Sequence, residues 1–470
     1  MITYDFSTRG TQPKYEFLYR CIRADIRTGV IPGSSKLPSK RELAHHLNVS
    51  VSTIEQAYDL LVSEGYIQAR PGSGFYVTPG KDEGTYQDTA QDEAQDEDDS
   101  IDFSSNRCSQ MLFPADTWAR LMRKTLSERD PELFETVPFN GLLRLRQAIA
   151  GYLYEFKGMK VRPECIIIGA GTEYLYGRLL QLFGDRRCIG IGEYGSVNLF
   201  NVSQGKSTLW DCFSVDKQGL RLDNLEGSPA EAIHVSPANH FPTGAVLSDE
   251  RRERLIEWAN ERPERYIIED DYDSELRYSG RSKPPLFTQD TGEKVIYLNT
   301  FSKTLVPSLR ISYMVLPKTL MEIYRKQLSF FSCTVSSFEQ LTLAEFIMGG
   351  YFERHIHRLR RYYSKQRAAF IDAIMASPLT SIATLDDMEV GTHLLMHVNT
   401  NLSDQEIAQA AQDKGLRLSM LSDYCIEQTV RNTHYAVINI ASVESGKIDS
   451  MVGMLSEIFA EDIKRHQKTN

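Results

Sequence analysis

Two stretches decide how this chain folds: "YIIEDDYDSELRYSG" (Tyr266–Gly280) and "YLNTFSKTLVPSLRISY" (Tyr297–Tyr313). Each opens on apolar, β-branched or aromatic residues. Each then turns polar, the first into acids and a phenol, the second into hydroxyls and a lysine. Short apolar runs bounded in this way read as buried strands. The runs "CIIIG" (165–169), "RYIIED" (265–270) and "KVIYLNT" (294–300) alternate with helix-like segments. That alternation predicts an α/β domain with a mostly parallel sheet and helices on its faces.

The polar ends of these runs carry one coherent chemistry. Asp270 and Tyr272 lie two residues apart, on the same side of an extended chain. Lys303 follows Thr300 and Ser302 and precedes Arg310 by seven residues. "IIIGAGTEYLYGRLLQLF" sets Gly169, Gly171 and Thr172 between a strand and a helix, where free backbone N–H groups and the helix dipole favour an anion. A lysine can form a Schiff base with an aldehyde, and a carboxylate at a pyridine nitrogen makes that ring an electron sink. Hydroxyls and a guanidinium suit a phosphate. An acidic run alone is usually a solvated loop, and a lone glycine-rich turn is weak. Their order in one α/β region points to pyridoxal 5'-phosphate.

Composition bounds the rest. The 470 residues, 41% hydrophobic and 25% charged, suit a chain of two to four globular units. No apolar run approaches the roughly 18 residues of a membrane span, and the N-terminus lacks a signal-peptide pattern, so the expected location is cytoplasmic with no membrane partner. The seven cysteines are scattered without a C-x-x-C pair, which indicates neither a disulfide framework nor a zinc site. His355 and His357, two apart in a basic helix-like segment, are expected on a solvated face rather than at a metal. The net charge of -10 is uneven: residues 1–77 hold nine Lys/Arg against seven Asp/Glu, and 78–100 hold one Lys against nine acids. The latter stretch, "TPGKDEGTYQDTAQDEAQDEDDS", has too little apolar surface to fold alone and reads as a flexible acidic linker.

Ahead of the linker, apolar residues at helical spacing predict a helix over 14–27, closed by Gly29 and Pro32. A second helix starts at Ser39 with Glu42 completing a capping box, and ends near His46–Leu47. A third is capped by Ser50 or by Ser52, the latter with Glu55 as reciprocal partner, and Gly65 stops it. "YIQARPGSGFYV" then reads as two short strands about Gly72-Ser73-Gly74, a wing able to approach phosphates. Two helices joined by a short turn match the helix-turn-helix, whose second helix enters the major groove.

Here the chain resembles the GntR superfamily of winged-helix regulators, on "LPSKRELAHHLNVS", "TIEQAYDLLVSEGYI" and "RPGSGFYV". The resemblance implies DNA contacts from Lys36, Ser39, Arg41, Ser50, Ser52, Thr53, Tyr58, Arg70, Ser73 and Gly74. The recognition helix in that family often has Arg just after its capping Ser. This chain has Val51, which cannot offer the bidentate contact to guanine. From about 101 onward, "GLLRLRQAIAGYL", "IGAGTEYLYGRLL", "PANHFPTGAVLSDERRERLIEWA", "IIEDDYDSELRY" and "TFSKTLVPSLRISYMVLP" resemble a fold type I aminotransferase. The whole chain is thus similar to the MocR-type regulators. The implied domains are a winged helix-turn-helix at 1–77, a linker at 78–100 and an aminotransferase-like domain at 101–470. The implied roles are Lys303 as the Schiff-base lysine, Asp270 at the pyridine nitrogen, Tyr272 at the ring hydroxyl, and Gly171, Thr172, Thr300, Ser302 and Arg310 about the phosphate.

Three departures qualify the aminotransferase pattern. Asn239 and His240 stand where relatives tend to have His and Gln. "EYGSV" (Glu193–Val197) replaces E-x-P-x-Y, leaving Tyr194 as the candidate to stack on the ring. "YAVINIA" (435–441) lacks the Arg that often precedes this strand to bind a substrate carboxylate, with Arg431 a few residues upstream. The expected protein is therefore a cytoplasmic, homodimeric, pyridoxal-phosphate-dependent transcriptional regulator that binds double-stranded operator DNA. Its effector is an amino compound or pyridoxal phosphate itself, in the control of vitamin B6 or amino acid metabolism. Partial reactions on the cofactor are compatible with it, full transaminase turnover is not expected, and a domain-swapped dimer is compatible with the linker. The alternative is a metabolic aminotransferase with an accessory N-terminal module.

Overall fold

The computed structural model describes residues 2–469 apart from positions 5, 10–11, 79–100, 104–111, 129–130, 185–186, 204–207, 279–282, 387–389, 428–431 and 444. The acidic linker, except for Thr78, and Arg431 lie outside the described residues. The chain divides into two compact units, Met1–Asp98 and Asp99–Asn470.

In the first unit, helices α1 (Lys14–Arg27), α2 (Lys40–Leu47) and α3 (Val51–Ser63) are followed by the antiparallel strands β1 (Ile67–Arg70) and β2 (Gly74–Val77). Leu18, Ile22, Leu43, Ile54, Leu61 and Val77 meet in one core, which is why apolar residues recur at helical spacing in all three helices. The capping box forms as expected: Ser39 Oγ accepts from the Glu42 N–H at 3.2 Å, and the Glu42 carboxylate accepts from the Ser39 N–H at 3.0 Å. Asn48, in the left-handed region at φ 52°, stops α2. Of the two serines expected to cap α3, the structure uses Ser50, whose Oγ accepts from the Thr53 N–H at 3.2 Å. Ser52 lies inside the first turn.

The second unit is built on a seven-stranded sheet: β3 (Ile166–Ala170), β4 (Cys188–Gly192), β5 (Leu209–Phe213), β6 (Ala232–Val235), β7 (Tyr266–Asp270), β8 (Val295–Thr300) and β9 (Ile311–Val315). Their order is β3-β9-β8-β7-β6-β4-β5, and only β9 runs antiparallel to its neighbours. Ile168, Ile189, Ile233, Ile267, Ile268 and Ile296 are all essentially inaccessible. Burial of both sheet faces explains why the strands read as unbroken apolar runs. The six parallel strands end on one edge of the sheet, where ligands bind in open α/β folds. A smaller antiparallel sheet, β10 (Ala383–Asp386), β11 (His393–Val398), β12 (Ser419–Met420) and β13 (Tyr435–Asn439), has the order β10-β11-β13-β12.

The helix Tyr351–Ala376 joins the two sheets, burying Phe352, Ile356 and Leu359 in the core of the large one and Phe370 and Ile374 in that of the small one. His355 lies on this helix and corrects the expectation of a solvated face: it is buried, and its Nε2–H donates to the Thr304 carbonyl at 2.6 Å. His357 is exposed, as expected. Among the described residues no helix is long and apolar enough to cross a membrane.

Candidate cofactor cleft and nucleic-acid interface

The loops leaving the carboxyl ends of β3, β4, β6, β7 and β8 enclose a cleft of about 290 Å³. Gly171, Thr172, Asp270, Tyr272, Thr300, Ser302, Lys303 and Arg310 all line it, so residues up to 139 positions apart in sequence converge there. Gly169 is one step removed, in β3.

Each of these residues is held by local chemistry. Thr300 Oγ1 accepts from the Ser302 N–H at 3.1 Å and from the Ser312 hydroxyl at 2.8 Å, which fixes the turn entering Lys303. His355 grips the next residue, Thr304, from behind. Gly171 caps the helix Thr172–Phe183 at φ 99°, and a Cβ there would stand 2.7 Å from Arg310 Nη2. Only glycine leaves the guanidinium beside the open N–H groups of that helix, which is the cradle a phosphate requires. Arg310 is itself left-handed, at φ 47°, and Nη2 donates to Glu173 at 3.2 Å.

At the opposite end, Asp270 closes β7 with His234 of β6 beside it, Nε2 to Oδ2 at 3.6 Å. Among the described residues, neither His234 ring nitrogen has a hydrogen-bond partner, nor does the nearby buried Tyr176 hydroxyl. Orphaned buried polar atoms next to a carboxylate mark a place built for a polar group. Asp273, almost fully buried, accepts from Asn239 Nδ2 at 3.0 and 2.8 Å, and Gly391 provides the room, since a Cβ there would collide with both side chains. Burial, opposed by Asn239 and the Lys303 charge, raises the Asp273 carboxyl above its ordinary range. Tyr272 is raised well above the ordinary phenol range, by burial first and then by the neighbouring acids. Phe241 sets its ring edge-on to Tyr272, His393 and Tyr424. Burial pushes His240 down to about 4, and burial with the Lys303 charge pushes His393 down to about 3.

Sequence reading missed His234 and His393, because a histidine inside an apolar strand carries no local mark of its neighbour. It noted Asn239 and His240 only as departures. Tyr194 lines the cleft and packs toward Leu395, Leu421 and Tyr424.

In the N-terminal unit, the hydroxyls at the start of α3 form a cluster: Ser50 Oγ lies 2.9 Å from Ser52 Oγ and 2.8 Å from Thr53 Oγ1. Val51 beside them is 44% exposed. On the wing, the Arg70 guanidinium lies 4.4 Å from the Tyr76 ring centroid, and Lys36 approaches the same ring at 5.9 Å. Ser73 Oγ is 2.7 Å from the Tyr76 hydroxyl, and Gly74 turns the strand at φ 109°. Tyr76 is thus the wing platform that sequence reading passed over. Ser39 and Arg41 are exposed at the start of α2. Tyr58 is the correction: its ring is fully buried and its hydroxyl donates to the Pro38 carbonyl at 2.9 Å, so it packs the core instead of facing DNA.

Comparison with known proteins agrees with both halves. Residues 14–77 match the bacterial regulatory proteins of the gntR family, and residues 98–445 match aminotransferase class I and II. The probable rhizopine catabolism regulatory protein MocR of Rhizobium meliloti is 31% identical over 429 residues, 87% of this chain and 87% of that protein. The chain is a MocR-type member of the GntR family. This MocR-type regulator is also 28% identical over 410 residues to the pyridoxine biosynthesis transcriptional regulator PdxR of Corynebacterium glutamicum, covering 86% of this chain and 87% of that one. In fold it resembles the multiple substrate aminotransferase of Thermococcus profundus, with a TM-score of 0.70 over 78% of this chain and 93% of that one at 24% identity. The aminotransferase class I and II family makes this a pyridoxal 5'-phosphate protein, and the Gly171–Arg310 cradle fits a phosphate.

Proposed function

We propose that this regulator uses the cleft as its input and the winged helix as its output. The observation that supports this best is the presence of both sites in one chain: Lys303, Asp270, Tyr272 and Arg310 around a single cleft, and a capped recognition helix with a cation-bearing wing. When bound, the cofactor supplies an electrophilic carbon for amines and an electron-withdrawing ring. Lys303 would be the amine that holds it. Asp270 would place its carboxyl group at the ring nitrogen, Tyr272 would present its hydroxyl to the ring hydroxyl, and Arg310 would clamp the phosphate with Ser302 and the N–H groups after Gly171. On DNA, the Ser50–Thr53 helix start reads the major groove while Arg41, Lys36, Arg70 and Ser73 hold phosphates.

The effector is an amino compound or pyridoxal phosphate itself; the name of the Corynebacterium relative favours the latter. A ligand that prefers one conformation by about 1–3 kcal/mol is enough to shift DNA affinity. The regulator acts in the cytoplasm as a homodimer, and residues 78–100, which span on the order of 75 Å when extended, permit an exchange of DNA modules between subunits. Lys303 and Asp270 also support partial reactions, but full transaminase turnover is not its role.

The test is fluorescence anisotropy with the DNA upstream of its own gene, using protein stripped of cofactor and then reloaded, against a scrambled fragment at each salt concentration. A cofactor- or amine-dependent change in specific affinity is expected. Specific binding indifferent to cofactor and to a panel of amino acids would remove the sensing role.

A further inference from the structure

The phosphate cradle contains an acid that the cofactor does not need. Glu173 is the second residue of the helix Thr172–Phe183, directly after the Gly171–Thr172 turn. Its carboxylate accepts from Arg310 Nη2 at 3.2 Å. It also lines the same cleft as Lys303. The Gly171 Cβ position measures how close the two groups stand: a carbon there would be 2.7 Å from Arg310 Nη2 and 3.1 Å from Glu173 Oε2. The guanidinium that would clamp the phosphate is therefore partnered by a carboxylate of the chain, at the N-terminus whose dipole favours any anion. Both side chains are about half exposed, and exposed ion pairs of this kind contribute little to folding. The consequence of Glu173 falls on the ligand.

We propose that Glu173 is a built-in competitor for the cofactor phosphate: a phosphate in the cradle must share or displace its hold on Arg310 and endure its charge, which lowers cofactor affinity. The inference rests on the reading of the cleft as a cofactor-sensing site, and it deepens that reading. A cradle with an internal anion makes occupancy follow the concentration of pyridoxal phosphate. The competition acts through charge at the phosphate, so it disappears for a ligand without one and weakens with salt.

The experiment compares full-length wild-type protein with Glu173→Gln. Pyridoxal phosphate and pyridoxal are each titrated onto cofactor-stripped protein, binding is followed by the change in cofactor absorption on attachment to Lys303, and DNA anisotropy is recorded on the same samples. For a unit charge a few ångströms from a phosphate at a solvated site, Glu173→Gln should bind pyridoxal phosphate about three- to tenfold more tightly. Pyridoxal affinity should not change, the gain should shrink at high salt, and the midpoint of any DNA response should move to lower pyridoxal phosphate by the same factor. Unchanged or weaker pyridoxal phosphate binding by a variant with an unaltered melting temperature overturns the proposal, as does an equal gain for pyridoxal. If the folded wild-type protein takes up no pyridoxal phosphate, the cofactor reading fails, and this inference fails with it. If cofactor affinity rises as expected while DNA binding ignores the cofactor, the competition stands and the sensing role is refuted.

Discussion

Acidification should weaken the aminotransferase-like unit through His393, and the size of the effect can be worked out. His393 opens β11, is 5% exposed, and among the described residues leaves Nδ1 without a hydrogen-bond partner. Burial and the Lys303 charge hold it at about 3 in the folded protein, against about 6.5 when unfolded. Because the folded value is depressed, the folded state binds fewer protons than the unfolded state across this interval. Stability is therefore full above about pH 6.5 and falls as pH drops toward the folded value. Between pH 7.5 and pH 5 only the last 1.5 units count, and at about 1.4 kcal/mol per unit the loss is about 2 kcal/mol. Buried acids such as Glu269, raised to about 7 by burial, act in the opposite direction, so the wild-type profile alone is not diagnostic. The assay is urea unfolding of wild type and His393→Leu at both pH values, followed by tryptophan fluorescence. All three tryptophans (118, 210 and 258) lie in the second unit, so the signal reports that unit alone. The variant should lose about 2 kcal/mol less than wild type between the two pH values, whatever constant offset repacking adds. Equal losses would refute the argument that His393 is buried neutral beside Lys303.

Three further outcomes test the sites. Tyr58→Phe should lower the stability of the DNA-binding unit by about 1–3 kcal/mol by stranding the Pro38 carbonyl, while DNA affinity of the folded protein stays the same; an isothermal loss of affinity would return Tyr58 to the interface. Arg70→Ala should weaken DNA binding at all sequences alike and reduce the slope of log affinity against log salt by about one, as measured by anisotropy across a salt series. Gly171→Ala should weaken pyridoxal phosphate binding about tenfold or more, because the added Cβ displaces Arg310 from the cradle, while backbone strain of about 1–3 kcal/mol at φ 99° lowers the melting temperature with and without cofactor alike.

Much of this protein was legible in its residues because local rules suffice for local structure. The capping box at Ser39 and Glu42, the stop at Gly65 and the Gly72-Ser73-Gly74 turn depend on neighbours within a few positions, and the DNA-binding unit follows them closely. The strands ending at Ala170, Asp270 and Thr300 were readable because two buried faces demand unbroken apolar runs. The residues that line the cleft were readable because most of them lie where such a strand ends, and strands of one direction end on one edge; Arg310 joins them just ahead of the antiparallel β9.

What only the tertiary structure decided are the pairings between segments. Tyr58 and His355 look polar and available in sequence, yet packing buries both and assigns their hydrogen bonds to Pro38 and Thr304. His234 comes to stand beside Asp270 only because β6 pairs with β7. Glu173 reads as an ordinary first-turn acid until the sheet brings Arg310, 137 residues later, into its reach. Sequence fixes what a residue can do over a few positions, whereas the dielectric, the partners and the competition it meets are set by segments that only folding brings into contact.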